Sequence, residues 1–140
     1  MIEQGLFQLI TQDTAIKAAV GVDKSGTTSC YWILIPQGAA LPALVLSRVA
    51  TSDTYAMSGS LNFRNAVFQI TCYGSDYYTS RNIANVVRTA LQDFTGTLSD
   101  TDSTVVDSVV FEKDFDMNYE TGSKGFIYGS YLHFRVWYYG

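Results

Sequence analysis

The sequence is poor in the residues that usually announce a chemistry, with one histidine, two cysteines and two prolines in 140 residues. Cys30 and Cys72 form neither a disulfide framework nor the four-ligand spacing of a structural zinc site. Both lie inside apolar runs, where a free thiol behaves as a small buried hydrophobe; a bridge between adjacent strands is the alternative. No apolar run approaches the ~20 residues that cross a bilayer. Residues 1–20 lack the basic start and continuous apolar core of a secretion signal, so the expected compartment is the cytoplasm. Nine basic residues face thirteen acidic ones. Eight of those acids (Asp93, Asp100, Asp102, Asp107, Glu112, Asp114, Asp116 and Glu120) stand in one stretch whose only base is Lys113. Without clustered Lys and Arg to displace counterions from phosphate, tight nucleic-acid binding is disfavoured.

What is present is apolar patterning in a chain that is 47% hydrophobic, enough for one domain spanning 1–140. Between 2 and 20, Ile2, Leu6, Leu9, Ile10, Ile16, Ala19 and Val20 recur at helical steps, with a break near Gln12 and Asp13 as a cap for the second half. Residues 30–35 and 44–50 read as strands, 51–60 as a ten-residue loop, and 63–73 as a strand whose core face is Ala66, Phe68, Ile70 and Cys72. Ser75 or Asp76 caps a helix with the stripe Ile83, Ala84, Val87, Ala90, Leu91 and Phe94, and Gly96 ends it. A strand near 105–116, a polar turn at 118–125 and a terminal strand at 126–139, which a bulge at Gly129 would divide, complete the order. The predicted architecture is α+β: a two-layer sandwich with a largely antiparallel sheet of about five strands and two main helices on one face.

Motifs for catalysis are weak. His133 has no nucleophile elbow near it, so a solvated or interface histidine is favoured over a small hydrolase built on His133 and an acid. GVDKSG and TGSKG lack the glycine spacing of phosphate loops. The acids of 107–116 lack the spacing and glycine of a calcium loop and read as a solvated negative face. No catalytic residue, metal ligand or cofactor is assigned.

The terminal strand is apolar on both sides. Leu132, Phe134, Val136 and Tyr138 suit a core, which turns Tyr131, His133, Arg135, Trp137 and Tyr139 outward. Aromatic residues grouped with arginine are the composition of a protein interface. These five are the candidate subunit-interface residues. Asp53, Tyr55 and Met57 in the first long loop, and Asn118, Tyr119 and Lys124 in the second, are candidate docking residues.

Taken together, LPALVLSRVATSDTYAMSGSLNFRNAVFQITCYGSDYYTSRNIANVVRTALQDFTGTL, the opening MIEQGLFQLI and the close LHFRVWYY resemble, in order and spacing, the tail-completion or tail-terminator proteins of long-tailed bacteriophages and prophages. The resemblance covers nearly the whole chain. It implies a structural virion protein without enzymatic activity. Subunits form a hexameric ring on the head-proximal end of the tail tube, stopping its growth and presenting the head-joining surface. The implied partners are further copies of the chain, the tail tube protein and the head–tail connector proteins. DNA passes through the ring without specific binding, and no membrane is involved. The acidic stretch, lining the hole, would repel DNA phosphate. Another neck or tail-tube component of the same virion is the alternative.

Overall fold

Two short polar side chains fix where helices start. Asp13 accepts the backbone N–H of Ile16 at 3.0 Å and so separates helix α1 (Ile2–Gln12) from α2 (Thr14–Ala19). Asp76 does the same for α3 (Tyr77–Leu91), accepting from Thr79 N–H at 2.9 Å. Both satisfy donors that the first turn of a helix leaves unpaired. The computed structural model describes residues 2–20, 30–33, 42–56, 59–74, 76–98, 104–120 and 126–139, with backbone only at 53–56, 59–62, 117–120 and 126–127.

The fold is mixed α+β, with three helices and six strands among the described residues: β1 (Cys30–Trp32), β2 (Ala43–Ala56), β3 (Gly59–Gly74), β4 (Gly96–Thr97), β5 (Val105–Glu120) and β6 (Phe126–Tyr139). They form one sheet in the order β1-β2-β3-β6-β5-β4. Only β1 and β2 run parallel; every other neighbouring pair is antiparallel. The sheet therefore has one strand more than expected, because two residues after α3 add a short edge, and the first helical segment counts as two.

The core lies between the helices and one sheet face. Ile10, Ile16, Ile83, Ala84, Val87 and Leu91 bury against Leu44, Leu46, Ala66, Phe68, Ile70, Cys72, Leu132, Phe134 and Val136. The even face of β3 is thus the core face, as its alternation predicts. Phe7 of α1 stacks on Trp32 of β1 at 6.3 Å, while Gly5, Leu9 and Gln12 share a cleft with Thr97 and Leu98 beside β4. One helix touches both edge regions of a sheet that is roughly 24 Å wide when flat. The sheet must therefore curl around it.

Several local expectations are corrected. Residues 51–56 and 59–60 extend β2 and β3 in an antiparallel hairpin instead of forming a ten-residue loop. Likewise 118–120 and 126 continue the β5–β6 hairpin. Helix α3 ends earlier than Gly96: Gln92 N–H bonds to Arg88 C=O, and Asp93 takes the left-handed turn (φ 64°). Gly129 does not divide β6, since it pairs with both Tyr73 and Met117. The bulges fall on β5, at Asp107 and Glu112, and on β2, at Val49, with a further irregularity where the step from Asp53 to Tyr55 faces the longer run from Arg64 to Ser60 on β3. The first strand stops at Trp32, because Ile33 has φ 69°; residues 34 and 35 lie outside the described residues.

The cysteines flank β2 from opposite sides, Cys30 and Cys72 both registering with Leu44. Both are buried and free. Burial pushes the Cys30 thiol up to about 12, and burial pushes that of Cys72 up as well. Gly74 sits where β3 meets α3. A Cβ there would lie 2.9 Å from the backbone nitrogen of Ser80, so close approach demands glycine.

Candidate subunit and docking surfaces

The sheet face away from the helices carries the odd-numbered residues of β6 and, in register with them, residues of β3 and β5. Its side chains fall into three zones. At the β2–β3 turn end, Phe63 stacks on Trp137 at 5.4 Å and packs against Tyr139 at 4.9 Å. Toward the other end, Phe115 stacks on Tyr131 at 4.9 Å, nearly coplanar, with His133 edge-on at 5.6 Å. Between them Arg135 bridges Glu112 and the Asn65 side chain.

The five residues assigned to this face by alternation therefore share it, but unequally. Tyr139 is half exposed, and His133, Arg135 and Trp137 are partly covered. Tyr131 is buried, because flat stacking on Phe115 and neighbouring strands cover its ring. Phe63, Phe115, Val105 and Val110 belong to the same face and were not singled out. Val105, Val110, Phe115 and Tyr139 count among the large apolar side chains left exposed. Ile33, Val49, Tyr77 and Tyr78 are exposed elsewhere, so the open face holds half of these side chains.

His133 Nε2 lies 2.9 Å from Gln69 Oε1, which suits a neutral ring donating from Nε2. Partial burial, and next the charge of Lys113, hold its pKa below the usual imidazole value. Its polar partner is an amide oxygen, and the nearby Glu112 carboxylate is engaged by Arg135. This is not the arrangement of a histidine oriented by an acid toward a nucleophile. Among the described residues no group of three or more potential ligands is placed to hold a metal ion.

The acids of β5 do not form one solvated negative face. Asp114 and Asp116 register with Leu132 and Ser130, which puts them on the helix side. There Arg81 of α3 bonds Asp114 at 3.0 Å and Asp116 at 3.2 Å. Asp116 also accepts from Tyr77 at 3.1 Å and Ser130 at 2.9 Å, and Ser130 meets Ser80 at 3.1 Å in a buried pair. Arg81 stays charged despite the opposing effect of desolvation, because both carboxylates hold its proton. Arg88 covers the Phe111 ring at 3.9 Å. The clasp ties the first turns of α3 to the β5–β6 hairpin.

The two groups of docking candidates lie at opposite ends of the sheet. From the Phe63–Tyr139 pair to the Gly74–Tyr128 pair, β3 and β6 run side by side for about 36 Å. Among the described residues, β2 and β3 run on without β6 beyond the first pair, with Tyr55 in strand there and Asp53 just inside it opposite Arg64; beyond the second, β5 and β6 run on without β3, with Tyr119 in strand there and Asn118 level with that pair. Met57 and Lys124 lie outside the described residues.

A protein-family model described as "Tail completion protein gp17" matches residues 4–139. The chain belongs to this family. It is a structural protein of phage-type tails. Among solved structures, a chain from the "Virion of native gene transfer agent (GTA) particle" is similar at a TM-score of 0.67 and 18% identity, covering 99% of this chain and 95% of that one. At that identity the likeness concerns the fold. No curated protein matches the sequence.

Proposed function

We propose that this tail-completion protein caps the head-proximal end of the tail tube as a closed ring, six copies in number, and offers the head-joining surface on its far side. The observation that carries the reading is the pair of hairpins projecting from opposite ends of one sheet. A cap must grip a tube on one side and present something different on the other, and a continuous sheet holds two such ends about 36 Å apart at a fixed distance. One hairpin meets the tail tube protein, the other the head–tail connector. The open face, with Tyr139, Trp137, His133 and Arg135 and the buried support of Tyr131, supplies contact area between copies. In a ring such contacts are heterologous, one patch meeting a different one, and closure fixes the copy number.

DNA crosses the ring without specific binding, because the chain offers no basic cluster. Electrostatic repulsion from the wall is weaker than the sequence suggests, since Asp114, Asp116 and Glu112 are neutralised by Arg81 and Arg135. Electron microscopy of particles made without this protein tests the reading. Overlong tubes and unattached heads are expected, with wild-type protein restoring both. Tubes of normal length would refute the capping role, and self-polymerisation of the pure protein into long tubes would make it a tube component.

A further inference from the structure

The sheet leaves two long edges open. β1 covers β2 only at Leu44–Leu46, where Ile33 N–H adds a bond to Leu46 C=O at 2.7 Å. β4 covers β5 only at Val105 and Val106, and Asp93 N–H reaches as far as Val109 C=O. Among the described residues, 47–56 of β2 and 110–120 of β5 have no strand beside their outer edges. Each is about 33 Å of backbone able to pair with another chain.

We infer that neighbouring copies join edge to edge, the free edge of β5 in one copy pairing antiparallel with the free edge of β2 in the next, so that one sheet continues around the ring. The inference rests on the ring reading above and names its contact.

Direction supports it. The four long strands β2, β3, β6 and β5 alternate, so the outer two run oppositely. A rotation about an axis near the strand direction preserves each strand's sense. β5 then meets the next β2 antiparallel, the alternation continues, and the same face lies on one side of the ring in every copy, where its side chains meet those of the next copy across the seam. The free stretches lie toward opposite ends of the sheet, so pairing them requires strands tilted to the axis, as in closed barrels.

Charge supports it too. Proteins guard open edges with outward charges and proline. Neither β2 nor β5 contains proline. Most of their described charged side chains pair within the same chain, Arg48 with Glu3 at 2.6 Å, Glu112 with Arg135, and Asp114 and Asp116 with Arg81, while Lys113 is exposed. What remains outward includes Val49 and Val110, about half exposed on the two edges. The bulge at Glu112 interrupts the free stretch of β5, and that of β2 is irregular both at Val49 and between Asp53 and Tyr55, which limits the pairing to short runs and makes it specific in register.

The test places a benzophenone amino acid at exposed Lys113 on β5, and separately at Val49 on β2. Tails are assembled from equal amounts of isotopically heavy and light protein, illuminated and mapped by mass spectrometry. Links from position 113 to residues 47–56 of a different copy, and from position 49 to residues 110–120, are expected. Capped tails whose links fall elsewhere, or join 113 to 113 across a two-fold, overturn the edge pairing and leave the ring standing. Wild-type tails without a ring of this protein at the end overturn both.

Discussion

Trp137 and Phe134 stand three residues apart on β6 and face opposite ways, which makes them a paired test of whether the strand has one core face or two. Phe134 is 1% exposed and packs edge-on to Phe111 at 5.6 Å. Phe134→Ala leaves a cavity among core side chains and should cost about 3–5 kcal/mol. Trp137 touches Phe63 but lies under no helix. Trp137→Ala therefore loses one aromatic stack and part of its burial, about 1–1.5 kcal/mol. For a domain of this size the melting temperature falls roughly 10–20 °C for the first and 3–6 °C for the second. Thermal melts by circular dichroism read the difference, and mass photometry with tail tubes reads assembly. Trp137→Ala is expected to keep the fold and lose rings at concentrations where wild type forms them. If Trp137→Ala destabilises as much as Phe134→Ala, the open face is covered within one copy, and the contact role assigned to it fails.

Three further outcomes follow from local geometry. Asp116→Ala removes the acceptor shared by Tyr77, Arg81 and Ser130; because most of that clasp is partly solvated, the loss should be about 1–2 kcal/mol in denaturant titration. A double-mutant cycle with Arg81→Ala that shows no coupling would disprove the clasp. Gly74→Ala forces a Cβ against the Ser80 backbone and should cost about 1–3 kcal/mol; a neutral result in the same titration would mean the β3–α3 junction shifts freely. His133 has its pKa lowered by burial and by Lys113, so the unfolded chain binds the proton more readily. Stability should then fall as pH drops below about 6.5, the unfolded value, and level off below the folded one. His133→Gln should remove that dependence in melts across the range, and an unchanged profile would assign it elsewhere.

The elements legible in the sequence were those whose pattern is made locally. The stripe of α3 and the even face of β3 repeat at the periods their backbones impose, and Asp13 and Asp76 cap through bonds three residues away. The extension of β2 and β3 past residue 51 gave no such signal. There the hairpin runs on past the end of β6, and TSDTYAMSGS shows no alternation although its described backbone is paired. The edge strand β4 is too short to carry any pattern.

The open face was half legible for a different reason. On β6 alternation runs unbroken, so Tyr131, His133, Arg135, Trp137 and Tyr139 fall together. On β5 strict alternation from the buried Val109 and Phe111 would carry Phe115 into the core and turn Asp114 and Asp116 outward. The extra residue at Glu112 reverses this: Val110 and Phe115, of opposite parity, come to share the open face, while the two acids swing to the helix side within reach of Arg81. A bulge depends on how two strands meet, and neither strand alone records it. The same single residue thus supplies the Glu112 partner of Arg135, adds an aromatic ring to the contact face and removes two charges from it. Deleting Glu112 should remove the bulge and leave the two sides as they are, because Lys113 then follows Phe111 in simple alternation, with Phe115 still on the open face and Asp114 and Asp116 still on the helix side. The expected outcome is a chain that keeps the Arg81 clasp and loses only the Glu112–Arg135 pair, read as a small fall in melting temperature. Loss of the Arg81–Asp116 coupling in the deletion variant would show that this one extra residue is not what sets the two sides of β5.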